Sequence, residues 1–125
     1  VWPYNVKKNP FNLARTGWWT GFPALRPFMY AGKLLPIDAH EIFALSAPRP
    51  FLNIQALNDW GFGLEDEQLT RMIWENLTYN VKKIYALYGA EHKFENIVHL
   101  EGHSFLEKQR EQAYSFIDKF LLAPK

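Results

Sequence analysis

Asp59 and His103 are the two residues of this chain whose types and surroundings best suit joint chemistry. A carboxylate beside an imidazole holds the ring in one tautomer. The far ring nitrogen is then free to take a proton from a hydroxyl, and the hydroxyl attacks an acyl carbon. Asp59 stands in the run Asn58-Asp59-Trp60, with Gly61 and Gly63 just after it, and His103 stands in Gly102-His103-Ser104. The third member of such a set, a serine in a context that suits a nucleophile, is not recognisable among these residues. Of the three serines, Ser46 precedes Ala-Pro, Ser104 is the neighbour of His103, and Ser115 falls within an expected helix.

The elements needed to bring Asp59 and His103 together can be read from the apolar pattern. A short helix is expected over 38–45, with Asp38 as its cap, Glu41 three residues on, and Ile42, Phe43 and Leu45 on its apolar side. Pro48 and Pro50 end it, and 51–55 reads as a strand. Residues 57–63 form a loop. A helix over 65–87 follows, with Leu69, Met72, Ile73, Leu77, Val81, Ile84 and Leu87 at helical spacing, a break into two helices over 76–80, and Gly89 as its C-terminal cap. Residues 94–100 read as a second, largely buried strand. Residues 102–104 make a turn, and 107–122 form a closing amphipathic helix with Ala113, Phe116, Ile117 and Phe120 on one side. Strands alternating with helices imply an α/β fold with a parallel sheet, whose functional groups sit on loops at the carboxyl ends of the strands. Asp59 and His103 both fall there. Neighbouring parallel strands run about 4.8 Å apart, close enough for the two loops to meet.

Residues 1–37 differ in character. They hold five of the eight prolines, too many for long regular elements, and an aromatic cluster of Trp18, Trp19, Phe22, Phe28 and Tyr30. The chain therefore divides into an irregular Pro- and aromatic-rich segment, 1–37, with one short helix near residues 23–30, and a strand–helix portion, 38–125. The first residue is Val1 rather than Met, so an upstream segment is expected.

Taken as a set, Asp38 to Leu52 with its Ala47-Pro48-Arg49-Pro50 run, Asn58-Asp59-Trp60, Val81 to Ala90, and Glu101-Gly102-His103 resemble, in that order, the C-terminal part of carbohydrate-esterase-like α/β-hydrolases. Acetyl xylan esterases and glucuronoyl esterases are the groups most similar. The resemblance covers roughly residues 36–122. It implies an α/β-hydrolase fold, a serine-type ester hydrolase acting on acetyl or uronoyl esters of polysaccharide, Asp59 as the acid and His103 as the base, and no metal or organic cofactor. Glu65 and Asp66 are the alternative acids. A companion chain or a missing N-terminal segment would carry the nucleophile. A secreted or periplasmic setting is compatible with the resemblance. Two other readings stay open. One is a non-catalytic hydrolase-like chain that binds a carbohydrate or a partner protein. The other is the acid-and-histidine subunit of a two-chain hydrolase.

Other residues carry weaker signals. Trp60, Trp18 and Trp19 are candidates to stack on a sugar ring; Trp60, beside Asp59, is the better one, while packing against a missing portion suits Trp18 and Trp19 slightly better. His40 reads as structural, because Asp38-x-His40-Glu41 has no second cluster to complete a metal site. His99 reads as a core or partly exposed strand residue and His92 as a surface residue. Asn76-Leu77-Thr78 is a glycosylation sequon, but on a helix it decides little. Composition narrows the classes. With 48% hydrophobic and 22% charged residues the chain is globular. A net charge of +1 without a basic block argues against nucleic-acid binding, and no apolar run approaches a membrane span. The absence of Cys excludes disulfides and thiolate metal sites.

Overall fold

The computed structural model describes residues 39–59 and 67–121, together with Pro27, Phe28, Ala31 and Pro36. Their order is α1 (Ala39–Ala44), β1 (Phe51–Ala56), α2 (Glu67–Ala86), a 3-10 turn (Glu91–Lys93), β2 (Phe94–His99) and α3 (Glu107–Leu121). β1 and β2 form a two-stranded parallel sheet in which Phe51 pairs with Phe94 and Ala56 with His99. The mixed α/β class and the parallel pairing agree with the strand–helix–strand pattern. Of the expected helix near residues 23–30, Pro27 and Phe28 are helical, and the Ala31 N–H donates to the Pro27 carbonyl at 3.1 Å. The proposed cap, Asp38, lies outside the described residues.

Alternation along β2 sorts its side chains between two helices. Phe94 and Asn96 face α2: the Phe94 ring lies 5.5 Å from that of Tyr85, and Asn96 Nδ2 donates to Thr78 Oγ1 at 2.8 Å. Glu95 and Ile97 line the groove against α3, where Lys119 Nζ lies 3.2 Å from Glu95 Oε1. The two strands are thus sandwiched between α2 and α3. The core lies on the α2 side, where Ala39, Leu77, Val81, Tyr85, Ala90 and Phe94 are buried against one another, with Phe43, Ala47, Phe51 and Trp74 packed around them. A file of rings runs through it, Phe43 to Phe51 at 5.0 Å, Phe51 to Phe94 at 5.9 Å, and Phe94 to Tyr85.

α2 is one helix of 20 residues, not two. The Asn and Thr side chains that suggested a break bond back along the helix. Asn80 Nδ2 donates to the Asn76 carbonyl at 2.9 Å, and Thr78 Oγ1 donates to the Trp74 carbonyl at 2.7 Å. These contacts use the polar groups without competing for the backbone ladder. The buried stripe is also rotated from the expected one. It passes through Thr70, Leu77, Val81 and Tyr85, while Met72 and Leu87 are 59% and 80% exposed. On α3, Phe116 is buried as expected but Ile117 is exposed. Gly89 ends α2 as expected. At φ +62° it lets the Ala90 N–H reach the Tyr85 carbonyl at 3.0 Å and its own N–H reach Ala86 at 2.9 Å, the paired bonds of a Schellman cap.

Tyr85 carries the one polar atom of this ring file, and its hydroxyl donates to the Arg49 carbonyl at 2.8 Å. Burial pushes the phenol above its ordinary 10.0, against a smaller opposing pull from the Arg49 guanidinium. The folded phenol therefore titrates above the unfolded one. Its contribution to stability is complete below about pH 10 and declines as pH rises through the folded value. Thermal melts across that range are expected to show this decline, and Tyr85→Phe should remove it while costing about 1 kcal/mol at neutral pH for the lost hydrogen bond. An identical alkaline decline in Tyr85→Phe would refute the assignment.

Candidate functional site

The parallel pairing does not stop where the strands end. Beyond the Ala56–His99 pair, the Leu57 N–H donates to the His99 carbonyl at 2.8 Å. Asn58 then bridges the two loops with its side chain. Its Nδ2 donates to the Leu100 carbonyl at 2.8 Å, and its Oδ1 accepts from the Gly102 N–H at 2.9 Å. One residue further on, His103 Nδ1–H donates to Asp59 Oδ2 at 2.9 Å. Asn58 against Gly102 and Asp59 against His103 continue the alignment of the strands with side chains in place of backbone.

Gly102 has φ +62°, and a Cβ there would meet nothing within 4 Å. Glycine is needed for that turn rather than for space, and the turn sends the next residue across to Asp59. Asp59 is 7% exposed and the His103 side chain 64% exposed. An ionised carboxylate only accepts hydrogen bonds, so contact with Oδ2 places a ring proton on Nδ1. The carboxylate is thus shielded and the imidazole largely exposed, an arrangement that would suit a general base whose proton donor arrives from outside.

Of the residues singled out from the sequence, Asp59 and His103 are brought together. Trp18, Trp19 and Trp60 lie outside the described residues, as do Glu65 and Asp66. His40 is half-buried on α1, His92 is exposed in the 3-10 turn, and the His99 side chain is largely buried at the end of β2. The serines do not complete the pair. Ser104 Oγ donates to the Glu101 carbonyl at 2.6 Å, which occupies its proton. Ser46 lies in the turn before β1, at the opposite end of that strand from Asp59, and Ser115 lies within α3, where it lines the groove with Glu95 and Ile97. Among the described residues, no three His, Asp or Glu side chains gather as a metal site, and no helix is long and apolar enough to cross a membrane.

Asn58 is the residue beside the pair whose bridging role sequence reading passed over. An Asn-Asp pair beside glycine signals a turn, and the pattern does not distinguish a turn asparagine from one that spans two loops. Asn58→Ala deletes both cross-loop bonds and strands the Gly102 N–H, with an expected loss of about 1–3 kcal/mol. Asn58→Asp keeps the acceptor for Gly102 and should lose less. Urea unfolding of the two variants checks this order, and equal stability of Asn58→Ala and the parent would refute it.

Comparison of the chain with protein-family models, with curated proteins and with solved structures gave no match.

Proposed function

We propose that this chain is the acid-and-histidine part of an α/β-hydrolase of serine-esterase type, acting on carbohydrate esters such as acetyl or uronoyl esters of polysaccharide. The observation that carries the proposal is the 2.9 Å contact between His103 Nδ1 and Asp59 Oδ2, on loops following the carboxyl ends of two adjacent parallel strands. The chain order, acid then histidine with a helix between, fits the order of that fold.

In this reading His103 Nε2 takes the proton of a serine hydroxyl carried outside these residues, on the same polypeptide or on a companion chain. The serine oxygen bonds to the acyl carbon as the ester's alkoxy group leaves. The imidazolium returns its proton to that leaving oxygen, and water repeats the sequence to release the acid. Asp59 keeps its own proton count throughout. It holds the ring by Nδ1–H and stabilises the imidazolium.

Fluorophosphonate labelling of the native protein in its source material, with the labelled serine located by mass spectrometry, tests the proposal. The expected label falls on a serine other than Ser46, Ser104 and Ser115, in a polypeptide that contains or co-purifies with this chain. Label on Ser104 or Ser46 would place the nucleophile within these residues. No label in any assembly would favour the non-catalytic chain.

A further inference from the structure

Beside the pair lies a second junction, formed by a carboxylate that the chemistry above does not use. Glu101 Oε2 accepts from the Leu100 N–H at 3.1 Å and from Gln109 Nε2 at 3.1 Å, and His99 Nδ1 lies 2.9 Å from it. One oxygen thereby collects donors from the start of the loop and from α3, while the neighbouring His99 Nδ1 accepts from the Glu101 N–H at 3.3 Å. Gln109 is 1% exposed, and its other atom, Oε1, accepts from the Leu106 N–H at 3.0 Å. That second contact is half of a capping box, with glutamine at the third helical position holding the backbone of the cap residue. Glu101 and Gln109 thus fasten residues 100 and 106, the two ends of the loop that carries His103. Asn58 fastens it from the other side.

The His103 ring is mostly exposed, and its 2.9 Å contact with Asp59 requires the backbone beneath it to stay in place. Bonds to a charged acceptor are stronger than neutral ones, which suits a carboxylate to such a junction. We infer that Glu101, held by Gln109, is a positioning residue that fixes the His103 loop so that its imidazole stays bonded to Asp59. The inference rests on His103 as the base in the proposed reaction, but its test needs no turnover.

The full chain, labelled with 15N at its four histidines, gives the test by NMR. In the parent the His103 ring should sit in the Nδ1–H tautomer, with a persistent Nδ1 proton resonance. Glu101→Ala should raise the exchange rate of that proton at least about tenfold, and Glu101→Gln by less, while amide protection in Phe94 to Ile97 holds. Gln109→Glu keeps the acceptor for Leu106 but sets a second carboxylate against Glu101, and should loosen His103 in the same way. Glu101→Gln combined with Gln109→Glu restores one charge and one amide at the junction, and should bring the exchange rate back towards the parent value. An unchanged His103 signal in Glu101→Ala and in Gln109→Glu would overturn the inference. So would a loss of protection spread evenly through the sheet, since that marks a merely structural role. Should Glu101→Ala not fold, Glu101→Gln and the double exchange decide by the same criterion. Absence of the Nδ1 resonance in the parent would overturn the Asp59–His103 pair itself, a failure distinct from the others.

Discussion

On the proposed esterase reading, His103→Ala is expected to lower kcat by about four orders of magnitude on an acetylated or uronoyl-esterified saccharide, with KM little changed. A serine hydroxyl at neutral pH is a poor nucleophile unless its proton leaves as the oxygen attacks, and in the proposed reaction the imidazole takes it. The ring is largely exposed and its removal leaves no cavity, so the stability cost should be limited to the bond taken from the shielded Asp59, about 1–3 kcal/mol, and the variant should stay folded. Asp59→Asn is expected to cause a loss of similar size for a different reason. The amide matches the carboxylate in volume, but its NH2 group can face Nδ1 only as a donor. That favours the tautomer with the proton on Nε2, where the lone pair is required. The double variant should be no worse than either single one, because both remove the same device. Losses below about tenfold in both single variants would show that the contact at 2.9 Å is a structural ion pair and not part of a reaction.

What could be read from sequence here follows the range of each physical signal. The strands and α3 were legible because apolar runs bounded by Pro and Gly have few alternatives over short distances. The meeting of Asp59 and His103 was legible one step further, since strand–helix–strand alternation implies parallel neighbours and parallel neighbours bring both carboxyl-end loops to one edge. The break expected in α2 failed because propensity treats Asn76, Thr78 and Asn80 as competitors of the backbone, whereas their side chains bond four residues back or across to Asn96. The stripe was misplaced because hydropathy ranks Met72 and Leu87 above Tyr85. Yet Tyr85 is wholly buried, and its hydroxyl is satisfied by the Arg49 carbonyl 36 residues away. The junctions at Asn58, Glu101 and Gln109 were invisible for a related reason. Each is an ordinary polar residue in or beside a loop, and its role depends on partners that pattern and spacing alone do not reveal. Gln109 had the nearest thing to a signal, a glutamine at the third position of a helix, but no Ser or Thr stands at the cap to complete the motif.

The same dependence on distant partners makes Phe94 the residue whose loss should damage the fold most. It opens β2 opposite Phe51, is 1% exposed, and lies between the Phe51 and Tyr85 rings at 5.9 and 5.5 Å. Phe94→Ala removes a whole ring from the middle of the file, at an expected cost of about 3–5 kcal/mol. Domains of this kind are stable by roughly 5–15 kcal/mol in total, so the variant should melt about 10–25 °C lower or fail to fold at ambient temperature. Leu87→Ala is the matched control. It too removes a large apolar side chain, but one 80% exposed, and it should change stability by less than about 0.5 kcal/mol. Thermal and urea unfolding followed by circular dichroism compare the two, and a shift below about 5 °C in Phe94→Ala would mean that the ring file is not the core. The two losses are also told apart by activity. In His103→Ala the chemistry should disappear from a folded molecule, whereas in Phe94→Ala it should fall with the folded fraction. The loop after β2 carries His103, and that histidine meets Asp59 only while Phe94 and Phe51 hold the strands in register.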